Sequence, residues 1–298
     1  MNTIWSKHVQ GIHTLYSSRT LRFNDFFAPQ YLPLFALDGD KPLKILEIGC
    51  GPGALAAALH RWYPQAEITA LDRDSEFIRF ARKNVPGVTF LEGDATALPF
   101  PDGTFDVTIS NTVAEHIEPS AFYGEQRRVL RDGGVCLVLS GRRGLHAYPE
   151  VKQSDFEQAF WNKVAQHDDS LERYAVCKYP MSEMEMPHAM TQHGFSAVRT
   201  GYAIIDLTPD DPKYPAAMAH AMIDARRHND LDAIASARRS FPDHVSEEEA
   251  AEMSRIVNER YDARIAQYHR GEKVWDTGVS ITMIVRGVKG GNGGKSSC

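Results

Sequence analysis

The chain has 298 residues, of which 43% are hydrophobic and 24% charged, with a formal net charge of −6. That length suffices for one large domain, or for one domain with an appended cap. The ordinary composition and mild acidity exclude the clustered Lys and Arg that a nucleic-acid partner would require. Four cysteines, Cys50, Cys136, Cys177 and Cys298, lie far apart and form no Cys-x-x-Cys pair. Neither a metal site nor a disulfide framework is therefore expected. The N-terminus has no apolar stretch suited to a signal peptide, and no run approaches ~18 apolar residues. A cytoplasmic protein with no membrane partner is the expectation.

Residues 1–40 are rich in aromatics (Trp5, Tyr16, Phe23, Phe26, Phe27, Tyr31 and Phe35) and read as short helices. Pro33 and the Asp38-Gly39-Asp40 turn should end them. From residue 43, short apolar runs alternate with helical segments. Strands are predicted at 43–48, 67–71, 88–91, 105–110 and 135–139, with helices at 54–63, 75–84 and 119–130. This alternation implies βαβ units on a parallel sheet, an α/β doubly wound fold. Beyond residue 140 the pattern is less regular. A helix is predicted over 181–193, closed by Gly194, then a strand over 195–205. Residues 206–272 interrupt the sheet pattern and look helical. Ser246 with Glu249 forms a capping box, and Met253, Val257, Tyr261 and Ile265 mark one apolar stripe. Strand character returns at 279–285, and the Gly-rich residues 287–298 read as disordered.

The strongest chemical signal is Leu46-Glu47-Ile48-Gly49-Cys50-Gly51-Pro52-Gly53, which follows a strand and opens a helix. Glycines there let the backbone approach a ligand closely. The spacing is Gly-x-Gly-x-Gly, unlike a dinucleotide fingerprint, and Glu47 sits where it would repel a pyrophosphate. It suits a ligand carrying an ammonium and a sulfonium instead. Asp72, at the end of the second strand, can take both hydroxyls of a ribose. Glu92-Gly93-Asp94-Ala95 closes the third strand, where a carboxylate can accept from a purine amine. These acids share the C-terminal edge of one sheet, where such folds bind ligands.

In these segments the sequence resembles the class I S-adenosylmethionine-dependent methyltransferases. The resemblance continues through Leu98 to Asp106, Asn111 to Ile117 and Arg128 to Gly134, and covers about residues 42–140. It implies a Rossmann-like methyltransferase fold with a mostly parallel seven-stranded sheet, its last two strands at 195–205 and 279–286. Those strands are usually joined by a short hairpin in the family. Here about seventy residues intervene, so a helical cap insertion is expected. The expected division is a helical N-terminal lid segment (1–40), a cofactor-binding core (41–205), a substrate cap (206–272), a returning strand (273–288) and a disordered tail (289–298).

The resemblance also implies S-adenosyl-L-methionine as cofactor. Gly49, Cys50, Gly51 and Gly53 would face its methionine part, with Glu47 beside them. Asp72 would hold the ribose, Arg73 would cover the adenine, and Asp94 with Ala95 would bind the adenine amine. Asn111, Thr112 and His116 would lie near the amino-acid end. Methyl transfer is an in-line displacement, so a general base is needed only where the nucleophile must lose a proton. His116 and Glu115 are the candidates for that role. Tyr16, Arg19 and Arg22 could close over the cofactor carboxylate or the substrate, or simply belong to a packed helix. Tyr261, Tyr268 and Trp275 could form an aromatic wall that favours a cation, or serve as core. His146, Tyr148 and Tyr202 are weaker substrate candidates.

The expected function is methyl transfer to a small-molecule acceptor by a monomer or homodimer. Oxygen, nitrogen, sulfur and carbon acceptors all remain open, with a lean towards one that needs no base, such as a thioether. The alternative is a non-catalytic protein that binds S-adenosylmethionine or S-adenosylhomocysteine as a sensor or partner subunit. A nicotinamide dehydrogenase is disfavoured by Glu47 and the glycine spacing.

Overall fold

The computed structural model describes residues 5–148, 153–167 and 176–290. Seven strands form one sheet: β1 (Lys44–Ile48), β2 (Glu67–Asp72), β3 (Thr89–Glu92), β4 (Phe105–Asn111), β5 (Leu130–Ala147), β6 (Phe195–Leu207) and β7 (Thr277–Lys289). Their order is β3-β2-β1-β4-β5-β7-β6. The first five strands are parallel, and β7 runs antiparallel between β5 and β6. This is the doubly wound, mostly parallel sheet expected from the sequence. The order reverses between β1 and β4, so a crevice opens beyond the ends of those strands.

The parallel strands carry near-continuous apolar runs because helices cover both faces. One face packs on α2 (Ile12–Arg22), α3 (Ala28–Phe35), α4 (Ala54–Trp62) and α5 (Ser75–Asn84). The other packs on α6 (Pro119–Val129) and the helix Glu185–Gln192 through Phe122, Tyr123, Met186 and Met190. Local signals set the helix starts. Asp74 accepts from the Glu76 and Phe77 amides at the head of α5, and Pro119 opens α6. The Ser246–Glu249 capping box is present.

Several boundaries differ from the sequence expectation. The fifth strand spans Leu130–Ala147 rather than 135–139, because β7 pairs with it as far as Ala147. The helix expected from Met181 begins at Glu185, and in the turn before it the Glu185 amide donates to the Ser182 hydroxyl. Residues 287–289, expected to be disordered, are the end of β7: Val288 and Lys289 pair with Ser196 and Phe195, and Gly287 with Cys136 of β5. Residues 291–298 of the expected tail lie outside the described residues. Pro33 lies inside α3, which ends instead at Ala36 in the left-handed region. The helix Asp155–His167 had no clear sequence signal, and it packs through Phe160 on the insertion helices.

The insertion carries two long helices, Ala216–Ser240 and Glu247–His269. They lie against each other and against the N-terminal segment. The Gly11 amide donates to Asp232, and the Thr14 hydroxyl to the His228 carbonyl. Closer to the sheet, the N-terminal segment is pinned by buried aromatics. Phe23, Tyr31 and Phe35 pack around Trp62, with Tyr31 stacked on it at 5.7 Å. No helix among the described residues is long and apolar enough to cross a membrane.

A buried ion network closes the two ends of the insertion. Arg264 reaches Asp210 at 2.8 Å and Asp276 at 2.6 Å, and Arg226 also pairs with Asp276. Asp210 accepts from the Val274 and Trp275 amides as well. Against the cost of burial, those bonds and Arg264 hold its carboxyl below the usual range. Removing one partner from such a network strands buried charge, which costs about 3–5 kcal/mol. Arg264→Ala should lose that much in urea unfolding, whereas Arg255→Ala, on the exposed side of the same helix, should leave the midpoint unchanged. Equal midpoints for the two variants would show that the network is dispensable.

Candidate cofactor and active site

The cavity beyond β1 and β4 has a volume of about 660 Å³. Its floor is built from the strand ends. Glu47, in register with Ala70 of β2 and Ile109 of β4, is 2% exposed. Its Oε2 has no hydrogen-bond partner. Burial, and then the nearby charge of Asp72, raise its carboxyl well above the usual range. The turn that follows is knit to β2, with the Gly49 and Cys50 amides donating to the Leu71 carbonyl at 2.8 and 3.0 Å. Gly49 has φ +69°, and a Cβ there would lie 2.4 Å from the Val113 side chain. Only glycine fits this floor. Cys50 is a buried thiol, pushed up mainly by burial.

Asp72 accepts from the Gly51 amide through Oδ2 and from the Asp74 amide through Oδ1, both at 2.8 Å. A carboxylate has about four acceptor positions, so capacity remains for two hydroxyls. Asp94 turns one oxygen to the Thr96 amide and hydroxyl, which hold its carboxyl below the usual range. Its other oxygen is available. Arg73 and Ala95 complete this wall.

The end of β4 is strained. Thr112 has φ +54°, an outlier for a β-branched residue. Its amide donates to the Leu139 carbonyl, its hydroxyl donates to the Asn111 carbonyl, and Arg19 Nη2 donates to that hydroxyl at 2.9 Å. Strain of this kind concentrates at functional sites. In the next turn, Glu115 accepts from the Ser140 hydroxyl through Oε1, while its buried Oε2 has no partner.

His116 packs against Trp5, ring centroids 4.7 Å apart. Its Nδ1 accepts from the Cys177 amide at 2.9 Å. A neutral imidazole that accepts at Nδ1 carries its proton on Nε2, which leaves Nε2 a donor. Burial lowers its pKa, opposed by Glu115 and reinforced by Arg73.

The roof comes from two places. Trp5, Gln10, Leu15, Arg19 and Phe23 descend from the N-terminal segment, and Val176–Tyr179 crosses as a strap. The strap hangs on the His116 turn by the Cys177 bond and by the Tyr179 amide, which donates to the Glu115 carbonyl. Nothing in the sequence pattern marked this strap, because it has no periodicity.

The cavity thus brings together Glu47, Gly49, Cys50, Gly51, Asp72, Arg73, Asp94, Ala95, Asn111, Thr112, Glu115, His116 and Arg19. Gly53 sits just behind the floor, packed against Phe90. No residue of 206–272 lines this cavity. Tyr261 bonds Asp230, and Tyr268 lies against His220. Tyr202 and Trp275 are solvent-exposed, and Tyr16 packs on Phe80. Arg22 bonds Ser280, while His146 and Tyr148 contact each other at 3.1 Å, with Arg226 over the Tyr148 ring. Among the described residues, no group of three His, Cys, Asp or Glu is placed to hold a metal ion.

The 3-2-1-4-5-7-6 sheet, with an acid closing each of its first strands and a glycine turn after β1, has the Rossmann-like methyltransferase fold. The comparisons agree. Residues 46–138 match the family model described as a methyltransferase domain. A fatty-acid O-methyltransferase of Mycolicibacterium smegmatis is 42% identical over 103 residues, covering 33% of this chain and 37% of that protein. A demethylmenaquinone methyltransferase of Chlorobaculum tepidum is 36% identical over 104 residues, covering 35% of this chain and 43% of that protein. The match therefore spans less than half the length of either relative. Phosphoethanolamine N-methyltransferase 2 of Haemonchus contortus, solved in complex with S-adenosyl-L-methionine, shares the fold. Its TM-score is 0.53 at 12% identity, over 97% of this chain and 59% of that one.

Because the folded-state pKa of His116 is depressed below 6.5, its contribution to stability is complete above that pH. The contribution is lost as pH falls towards the folded value. Protonation also turns Nδ1 into a donor and breaks the bond from Cys177. Amide exchange, corrected for intrinsic rate, should show Cys177 losing protection on acidification while Tyr179 keeps it. Constant protection at Cys177 would mean that His116 does not hold the strap.

Proposed function

We propose that this chain transfers a methyl group from S-adenosylmethionine to a small molecule. The observation that carries the reading is the buried, unpartnered Oε2 of Glu47 on the cavity floor. That oxygen fits an ammonium and would repel a phosphate. Asp72 and Asp94 offer free acceptor capacity further along the same edge, suited to ribose hydroxyls and to an adenine amine. Arg73 stands at the same wall and would cover the adenine. When bound, S-adenosylmethionine supplies a methyl group on a positively charged sulfur.

The chain's own part is to align, to enclose and to exclude water. Trp5, Leu15 and the 176–179 strap close the cavity, and the fixed turn after β4 presents Asn111, Thr112 and Glu115. The relatives named for a fatty acid and for a demethylated menaquinone support a small-molecule acceptor. With Nδ1 engaged by Cys177, His116 is a hydrogen-bond donor rather than a base. This favours an acceptor with no proton to lose, a thioether or another such nucleophile. The N-terminal segment then serves as the lid, with the insertion helices bracing it from behind.

Two outcomes follow. Burial keeps the Glu47 carboxyl protonated above the usual carboxylate range, and a cationic ligand favours its ionised form. Binding should therefore release protons to the buffer, and affinity should rise with pH until the free carboxyl ionises. Calorimetry in buffers of different ionisation enthalpy reads this directly. Glu47→Gln should abolish the release and weaken binding by about 1–3 kcal/mol. Binding with no proton release and no effect of Glu47→Gln would place the ammonium elsewhere.

For turnover, the protein with S-adenosylmethionine and a metabolite extract should generate S-adenosylhomocysteine. Tight binding without turnover in any extract would favour the sensor reading. Once an acceptor is isolated, His116→Ala should slow single-turnover transfer less than about tenfold across pH 6 to 9. Loss of a base would cost about 10²–10⁴-fold.

A further inference from the structure

Arg19 and Arg22 lie three residues apart on α2 and so share one face of it. Most buried or half-buried arginines of this fold are tied to carboxylates, as Arg128 is to Glu125 and Arg264 to Asp276. Among the described residues, neither Arg19 nor Arg22 forms an ion pair. Arg19 spends one N–H on the Thr112 hydroxyl. Arg22 donates to the Ser280 hydroxyl at 3.1 Å and to the Ser18 carbonyl at 3.3 Å. A guanidinium has five N–H donors, so most of this capacity is unused.

The surroundings reinforce the deficit. Tyr31 is fully buried among the same groups, with its hydroxyl beside the Thr282 side chain. Burial holds that hydroxyl neutral, with its pKa pushed up to about 12. Burial and the adjacent Arg22 charge also pull Arg19 down to about 10, which leaves it charged at neutral pH. Two like charges are thus held together beside the strained Thr112. Arg22 reaches Ser280 of β7, while Arg19 lines the cofactor cavity within the influence of Glu115.

We propose that Arg19 and Arg22 form a subsite for an anionic oxygen group, a carboxylate, carried by the methyl acceptor. The inference rests on the methyltransferase reading. Arg19 lines the cofactor cavity and Arg22 lies one turn further from it, so the anchored group extends from the transfer site towards Ser280. The anchor fixes one end of the acceptor, which is the positioning that in-line displacement needs. It also selects against neutral and cationic analogues, which would leave the two guanidiniums unpaired.

The test can be run while the acceptor is still unidentified. A metabolite extract is divided on an anion-exchange resin, and each fraction is assayed for protein-dependent formation of S-adenosylhomocysteine. The methyl-accepting activity should be retained by the resin. With that retained fraction, Arg22→Met should raise the apparent KM about 10–100-fold, with kcat changed less and S-adenosylhomocysteine affinity unchanged. Arg22→Lys should recover part of the loss, which a purely structural role would not produce. Activity in the unretained fraction overturns the proposal, as does an Arg22→Met effect that falls on S-adenosylhomocysteine binding instead. If no fraction supports turnover, the methyltransferase reading itself fails, which is a different result.

Discussion

Glu47 is a carboxylate that has left water without meeting a cation. It stands on the central strand, with Asp72 close enough to oppose its ionisation. An unpaired charge in such a place costs several kcal/mol, and the protein escapes the cost by keeping the group protonated. Much of the site follows from keeping that position open. The chain must turn sharply just beyond β1, and Gly49 is required because any side chain would strike Val113. The turn is then held by the Leu71 carbonyl and the Asp72 carboxylate. Asp72 therefore braces the loop and also faces the cavity.

The roof answers a different constraint. Its N-terminal helix has to sit over the cavity while most of its anchors lie outside. The Ser6 amide and hydroxyl reach the Asp74 carboxylate, which also caps α5. The Phe23–Tyr31–Phe35–Trp62 cluster fixes the next turns on the sheet. The insertion helices press from behind through Asp232 and His228, and the network at Asp210, Arg264 and Asp276 fixes the insertion to the sheet. The insertion thus reaches the cavity only through the N-terminal segment that it contacts.

Much of this was legible in the sequence. Glu47, Asp72 and Asp94 each close a strand, and the topology places all such ends on one edge. Strand alternation, the glycine turn and the capping box at Ser246 are local signals, and local signals survive into the fold. What was not legible depends on distant pairing. The extension of β5 to Ala147 is set by β7, which lies far along the chain beyond the insertion. The strap at 176–179 has no pattern of its own and is held by two of its amides, one to the His116 imidazole and one to the Glu115 carbonyl. Tyr261 looked equally suited to a binding wall and to a helix interface, and its position became clear only from Asp230 and Arg227 beside it. The pairing state of Arg19 and Arg22 was likewise invisible without their neighbours.

On the proposed function, this edge of the sheet binds a cation at one end and a nucleoside at the other. A crystal structure with S-adenosylhomocysteine decides this. The ammonium should lie against Glu47, the ribose hydroxyls on Asp72 and the adenine amine at Asp94, with Arg22 left uncontacted. A ligand bound in the reverse sense, or one whose carboxylate is clasped by Arg22, would contradict the account.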